Sequence, residues 1–347
     1  MSTARSTGIW LAQMISAAVG GCASHLLVRT ADARQLALVG VLLLGLHSAS
    51  GDATDQTAGH VTIAAGDLTV TFVDNRALAA THRAGYNGIA RMTHKLQSEN
   101  VFVPAYAGFN LEHVFGGDRL EDLFEPRHHP MTLRRLTTTS VELHQRPTPL
   151  SAIESTTRFR VVPLHYVDVS FRCVVHDAGF FQHGYTGLFW ASYINAPKDR
   201  RVHFLGLGPG DRKPRWISAF SPKHGVASTH VGVGDPGEIF FAPDFNATLA
   251  SHFSDYRFSE PFFYGRFRNM VLVYMFDPAE GIRFSQSPTG GGEKNPAWDF
   301  QFVVRDFRLN QPHGYRARLV YKPFVGRQDI LDEFRRWHHQ PNPQTEE

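Results

Sequence analysis

Glu142 and His144 stand two residues apart in Val141-Glu-Leu-His144, and Arg158 and Arg160 repeat that spacing in Thr157-Arg-Phe-Arg-Val161. Along a strand, residues two apart project from one face, so each pair is expected opposite its apolar neighbours. A carboxyl beside an imidazole can supply a general acid and a general base where neighbours push their pKa values apart. A guanidinium can hold a carboxylate or a developing oxyanion through paired donors. The same residues also suit an ordinary ladder of cross-strand ion pairs, and spacing alone leaves both open.

A second set runs through His183-Gly-Tyr-Thr-Gly-Leu-Phe-Trp-Ala-Ser-Tyr-Ile-Asn195. Its aromatic residues fall on both faces under alternation, so they cannot all be core. An aromatic ring beside His and Asn can stack on the C–H face of a sugar while the polar groups take its hydroxyls, although aromatics chiefly bury area. Trp216, His224, Tyr264, Arg266, Trp298 and Asp299 repeat the combination. The candidate acid–base groups are therefore Glu142, His144, His183 and Asp299. Candidate substrate contacts are Arg158, Tyr185, Trp190, Asn195, Trp216, His224, Tyr264, Arg266 and Trp298. Metal binding is the other use for the chain's 19 histidines. Glu112-His113, His128-His129 and His144 are the available ligands, yet adjacent strand residues face opposite ways and no spacing here is diagnostic. No cofactor is expected, and a metal-dependent β-sandwich enzyme stays as a third reading.

The elements that must position these groups read as strands. Leu68-Thr-Val-Thr-Phe-Val73 alternates apolar and polar between Gly66-Asp67 and Asp74-Asn75, and Tyr166-Val-Asp-Val-Ser-Phe-Arg-Cys173 alternates most cleanly. Further strands are expected at 185–194, 202–205, 216–220, 238–241, 262–267, 298–304 and 315–321. Asn269-Met-Val-Leu-Val-Tyr-Met-Phe276 is continuously apolar and should be covered on both faces. Ile330, Leu331, Phe334 and Trp337 fall on one helical stripe near the end of the chain. The pattern predicts an all-β chain: one large antiparallel β-sandwich over 52–325, followed by a C-terminal helix and tail over 326–347.

Several classes lose support. The Gly-x-Gly-x-x-Gly letters at Gly232-Val-Gly-Asp-Pro-Gly237 precede a strand-like run instead of a helix N-terminus, which suits a hairpin turn and not a dinucleotide site. Phosphate-loop, zincin and nucleophile-elbow motifs are absent from the sequence. With 35 Lys+Arg against 32 Asp+Glu, the net charge of +3 offers no footprint for nucleic acid. Cys22 and Cys173 cannot build a disulfide framework, and Cys173 is expected to be buried and inert. Residues 1–51 read as a secretory leader: Arg29 and Arg34 precede an apolar run at 36–46, which ends in Ser48-Ala-Ser-Gly51. That run is too short to span a bilayer unaided, so a secreted or periplasmic protein without a stable membrane span is expected.

The opening strand with its turns (Ala65-Gly-Asp-Leu-Thr-Val-Thr-Phe-Val-Asp-Asn75), followed by Asn100-Val-Phe-Val-Pro104 and Gly108-Phe-Asn-Leu-Glu-His113, resembles the start of a galactose-mutarotase-like β-supersandwich. His183–Asn195, Glu260-Pro-Phe-Phe-Tyr-Gly-Arg266 and Asn295-Pro-Ala-Trp-Asp-Phe-Gln-Phe302 resemble uncharacterised secreted proteins of polysaccharide-degrading bacteria. The first resemblance implies a fold shared by aldose epimerases and by domains of polysaccharide lyases and glycosidases; it transfers no catalytic residue. The expectation is an exported carbohydrate-active enzyme with a saccharide ligand on a concave sheet face, working by Glu/His acid–base catalysis. Epimerisation, elimination and hydrolysis stay open, and so does the oligomeric state. The alternative is a non-catalytic carbohydrate-binding or cell-surface protein.

Overall fold

Period-two patterning becomes sheet almost throughout the computed structural model, which describes residues 59–339. The expected leader and the tail beyond 339 lie outside the described residues. The first eight strands are β1 (His60–Ala65), β2 (Leu68–Val73), β3 (Gly88–His94), β4 (Asn110–Phe115), β5 (Met131–Arg135), β6 (Ser140–Gln145), β7 (Ile153–Val162) and β8 (Tyr166–Val175). They are followed by β9 (Tyr185–Ala191), β10 (Val202–Leu207), β11 (Arg215–Ala219), β12 (Thr229–Gly232) and β13 (Phe253–Phe258). The last five are β14 (Phe262–Phe267), β15 (Met270–Asp277), β16 (Ile282–Ser287), β17 (Ala297–Arg305) and β18 (Pro312–Pro323). Among the described residues three helices accompany them: α1 (Glu125–His128), α2 (Thr248–Ser251) and α3 (Arg327–His338).

Strands β1–β2–β3 form a small sheet. The others form one continuous hydrogen-bonded path, β4-β9-β17-β16-β12-β13-β10-β14-β15-β18-β8-β7-β6-β5, with β11 paired to β10. Every pairing in it is antiparallel except β12 with β13. The path curls over itself: Phe171 of β8 meets the Trp190 ring of β9 at 4.7 Å, edge to face, although the two strands are far apart in the sheet. This makes the expected sandwich. Its main core takes every second residue of β6, β7 and β8, together with Trp190, Trp298 and Phe300 from β9 and β17. Trp298 reaches its place because β14 carries Gly265 against its ring, where a Cβ would lie only 2.3 Å away.

The continuously apolar β15 is a central strand between β14 and β18, as its composition requires. Met270, Leu272, Tyr274 and Phe276 face the main core. Val271, Val273 and Met275 face α3, whose Ile330, Leu331, Phe334 and Trp337 cover them. The terminal helix thus forms because one sheet face would otherwise expose a row of valines to water. Cys173 is buried and free, and burial pushes its thiol up to about 12. Among the described residues, no helix is long and apolar enough to cross a membrane.

Two expectations change. Residues 238–241 are not a strand, and Gly232-Val-Gly-Asp-Pro-Gly237 is not a hairpin turn: β12 ends at Gly232 and a long irregular segment follows, up to β13. Apolar residues in that segment pack over a sheet face without joining its ladder. Strands β1, β3, β4, β5, β12, β13 and β16 were not read from alternation. Arg283 and Ser285 of β16, for example, are fully buried polar residues, which erases the period-two contrast.

Burial holds the imidazole of His230, on β12, down to about 3, with the Gln286 amide donating to its Nε2 at 2.9 Å. An imidazole whose folded pKa is depressed contributes stability that is complete above its ordinary value near 6.5 and is lost as pH falls. Denaturant titration is therefore expected to show about 2 kcal/mol of loss from this residue between pH 7 and pH 5. The variant His230→Gln, which cannot take up that proton, should flatten the profile by about this amount; an unchanged slope would contradict the assignment.

Candidate active site

The sequence Leu111-Glu-His-Val114 places two polar residues between two apolar ones, which a regular strand cannot accommodate on a half-buried sheet. The chain resolves this with a β-bulge. Leu111 pairs with Trp190 and His113 with the very next residue back, Phe189, so Glu112 is the extra residue. Leu111 and Val114 both stay in the main core, while Glu112 and His113 both turn away from it into a cavity. The bulge is held by the buried Asn87 side chain, which accepts from the Leu111 N–H at 3.0 Å and donates to the Leu111 carbonyl at 2.9 Å. The Asn110 carboxamide oxygen in turn accepts from Asn87 Nδ2 at 3.0 Å.

Glu112 and His113 line a cavity of about 170 Å³ together with Phe124, Phe189, Tyr193, His224 and Asp299. The Tyr193 hydroxyl lies 2.8 Å from both Glu112 oxygens and donates to that carboxylate. Arg127 donates to Glu112 Oε1 at 3.2 Å, and its guanidinium lies 4.0 Å from the Tyr86 ring centroid. Arg127 comes from α1, which is clamped from the sheets: Gln145 donates to the Pro126 carbonyl, and the fully buried Glu125 accepts from the Leu150 and Ser151 amides. The His113 ring packs on Phe124 at 4.4 Å and on Phe189 at 5.2 Å, and His224 Nδ1 lies 2.9 Å from Ser287 Oγ.

Burial sets the protonation pattern. It pushes the Asp299 carboxyl well above the carboxylate range; one oxygen accepts from the Ser192 amide at 2.9 Å, and the Glu112 charge reinforces the rise. Burial likewise raises the Tyr193 phenol well above its ordinary value, again with Glu112 contributing. It lowers His113, against the opposing attraction of Glu112. Burial thus favours the protonated carboxyl of Asp299, the protonated phenol of Tyr193 and the neutral imidazole of His113 beside the arginine-paired Glu112: potential donors and a base in one small enclosure.

Of the residues chosen from sequence, Asp299 and His224 lie at this cavity. The others are dispersed. Glu142 accepts from Arg134 at 2.9 Å and from Arg158 at 2.8 Å on the outer face of β5–β6–β7, so the ion-pair ladder is what forms. Burial alone would raise the Glu142 carboxyl, but the two guanidiniums outweigh it and hold it low. His144 meets Glu154 at 2.9 Å in the same ladder, and His176 takes the other Glu154 oxygen. His183 pairs with Asp118 at 2.8 Å and lines a separate hollow of about 360 Å³ with Tyr185, whose hydroxyl donates to the Phe240 carbonyl at 2.7 Å. Trp190 stacks on Phe300 within the core, and the Trp298 indole donates to the Arg200 carbonyl at 3.2 Å. Tyr264 stacks on His203 and meets the edge of half-buried Trp216; exposed Arg266 covers Phe324; Asn195 donates to the Asn100 carbonyl. Alternation placed the aromatics on both faces correctly, but both faces of these strands are interior.

Of the metal-type residues, His128 pairs with Asp122 at 2.9 Å, and neither His128 nor His144 lines the cavity of Glu112 and His113. Among the described residues, Asp67, His94 and His165 come within mutual ligand distance elsewhere. There His94 Nδ1 accepts from the Leu96 amide at 3.0 Å, which leaves the proton on Nε2 and no lone pair for an ion. A further hollow of about 420 Å³ borders Asp235, Glu280 and Arg305; there Arg283 and Arg305 both pair with the Asp235 carboxylate.

The architecture is that of a large antiparallel β-sandwich with a cavity lined by acid–base side chains on one sheet face. No protein-family model and no curated protein matches the chain. Among solved structures, its trace is similar to a protein of Escherichia coli K12 whose assignment as an aldose 1-epimerase is provisional: 9% identity over 76% of this chain and 99% of that one, TM-score 0.44. It is also similar to the heparan sulfate lyase HepC of Pedobacter heparinus: for one mutant, 9% identity over 78% of this chain and 36% of that one, TM-score 0.42. The chain thus spans about a third of the lyase's length. These likenesses concern the path of the chain, and the chemistry here rests on its own residues.

Removing Arg127 would leave the Glu112 carboxylate buried against a single phenol. The variant Arg127→Met is expected to lose about 3 kcal/mol in urea unfolding. Adding Glu112→Gln should recover part of that loss, and strictly additive effects in the double-mutant cycle would disprove the coupling.

Proposed function

We propose that this protein is a carbohydrate-active enzyme that catalyses proton transfer on a saccharide bound in the Glu112–His113–Tyr193 cavity. The observation that carries this is the convergence, from the β4 bulge and the end of β9, of a neutral imidazole and a neutral phenol around one carboxylate–arginine pair. In this reading His113 is the base, because burial keeps its imidazole unprotonated near neutral pH. Tyr193 is the proton donor, oriented by Glu112, and protonated Asp299 offers a further donor to a substrate hydroxyl or developing oxyanion. Phe124 and Phe189 supply apolar wall against which a sugar's C–H face can rest.

Epimerisation or elimination suits this set better than hydrolysis. A nucleophilic carboxylate needs a free oxygen, whereas Glu112 is paired with Arg127 through Oε1 and lies within donor distance of the Tyr193 hydroxyl through both oxygens. The apolar run with its basic flank at 29–51 supports export to a secreted or periplasmic location.

On a panel of mono- and oligosaccharides, His113→Ala and Tyr193→Phe are each expected to lower turnover by roughly 10²–10⁴-fold. The double variant Glu142→Gln/His144→Ala, confined to the outer ladder, should leave turnover unchanged. The opposite ranking would return the chemistry to the outer face, and saccharide binding without turnover in the parent would make the protein a carbohydrate-binding module. Because a depressed imidazole pKa keeps the base available in mild acid, kcat/KM should hold down to below pH 6.5 and fall only under it. An acid limb above 6.5 would exclude His113 as the base.

A further inference from the structure

The cavity stands over one end of two adjoining sheet rows, which we take as the floor of a longer trough. In these rows Asp299, Gln301, Val303 and Arg305 of β17 run side by side with Ser287, Ser285 and Arg283 of β16. Residues 233–252, between β12 and β13, lie over these rows. Apart from the single turn of α2 this stretch is irregular, and long irregular segments inside compact domains are uncommon and usually functional. This one is seated by sheet side chains that grip its main-chain carbonyls. Leu249 O accepts from the Thr229 hydroxyl, from Ser285 at 3.3 Å and from Gln301 at 3.3 Å. Gly237 O accepts from the fully buried Arg283 at 2.8 Å, and Phe240 O from Tyr185 at 2.7 Å. Phe241 and Phe245 pack on the Phe115 ring at 6.0 and 5.5 Å. That ring has room because β9 carries Gly187, where a Cβ would lie 2.2 Å from it.

The segment therefore occupies the middle of the trough. It leaves the cavity of about 170 Å³ at the Glu112 end, where Asn246, Ala247, Thr248 and Leu249 form one wall. It leaves the separate hollow with His183 and Arg305 at the other end, where Glu238, Ile239 and Phe240 form a wall. Beneath it, Gln301 Oε1 and Arg283 Nη1 are buried without a hydrogen-bond partner. Unpaired polar atoms on a sheet face are costly, and they mark this face as one suited to a polar occupant that the segment only partly replaces.

We infer that residues 233–252 act as a fixed strap that blocks the trough and restricts the enzyme to a single sugar unit: a free monosaccharide or the terminal residue of a chain, not an internal residue of a polymer. The inference rests on the saccharide reading above. It assigns substrate length to the strap and the chemistry to Glu112, His113 and Tyr193.

The test compares the full chain, a variant with residues 238–247 replaced by a short Gly–Ser linker, and Phe241→Ala/Phe245→Ala, which keeps the strap's length but removes its rings from Phe115. Each is assayed on monosaccharides, short oligosaccharides and a polysaccharide, following release or change of terminal residues and the size distribution of the polymer. The full chain should act on monosaccharides or chain ends and leave polymer size unaltered. The two variants should gain roughly tenfold or more on internal residues, with near-native circular dichroism confirming that they fold. Attack on internal residues by the full chain, or no gain in a folded variant, overturns the strap and leaves the proposed function standing. Absence of turnover and of binding on every saccharide, in the full chain and both variants, removes the proposed function and the strap with it.

Discussion

Two neighbouring side chains of a strand can share a face only where the period of two is broken, and the candidate site exists because β4 breaks it once. Beside the break, the Asn87 carboxamide satisfies both the amide and the carbonyl of Leu111. Without the bulge, Glu112 or His113 would enter a core of phenylalanine and tryptophan, where a charged or unpaired polar group costs several kcal/mol. The bulge thus converts a conflict between pattern and burial into a catalytic juxtaposition. Everything around it holds that arrangement: α1 with its buried Glu125, Arg127 across Glu112, and Tyr193 just past the end of β9.

A second consequence concerns protonation. Asp299, Tyr193 and most of His113 are buried at the cavity, and desolvation acts oppositely on acids and bases. It favours the protonated forms of Asp299 and Tyr193 and the neutral form of His113. A single physical cause therefore prepares donors and a base side by side near neutral pH. On the outer face of β5–β6–β7, solvent and guanidiniums do the reverse: Glu142 and Glu154 are held low and their partners are committed to them. Carboxyls of similar sequence context end in different roles because one face is wet and the other is sealed.

Much of the fold was legible. Alternation in β2, β6, β7 and β8 gives a half-buried sheet, the unbroken apolar β15 gives a doubly covered strand, and the stripe from Ile330 to Trp337 gives the helix that covers it. Strands with buried polar residues, such as β16, escaped the same reading, because hydrophobic contrast vanishes where arginine, serine and glutamine lie inside with partners. The site was legible only in part. Asp299 and His224 were singled out from residue type, and Glu112-His113 was noticed as a polar pair but read as pointing apart. The interrupted alternation of Leu-Glu-His-Val was the available signal of a bulge.

What the sequence by itself determined is the strand-rich architecture and the inventory of chemistry: period-two patterning dictates which residues must be covered, and few alternatives to a large sandwich cover them. Which side chains meet was decided by the tertiary structure alone. Contact between Glu112 on β4, Arg127 on α1 and Tyr193 after β9 depends on the curl of the sheet and on one extra residue in one strand. Those are properties of long-range pairing, and local composition carries no record of them. The same holds for residues 233–252, whose apolar run reads as a strand until the trough beneath is seen to need a cover.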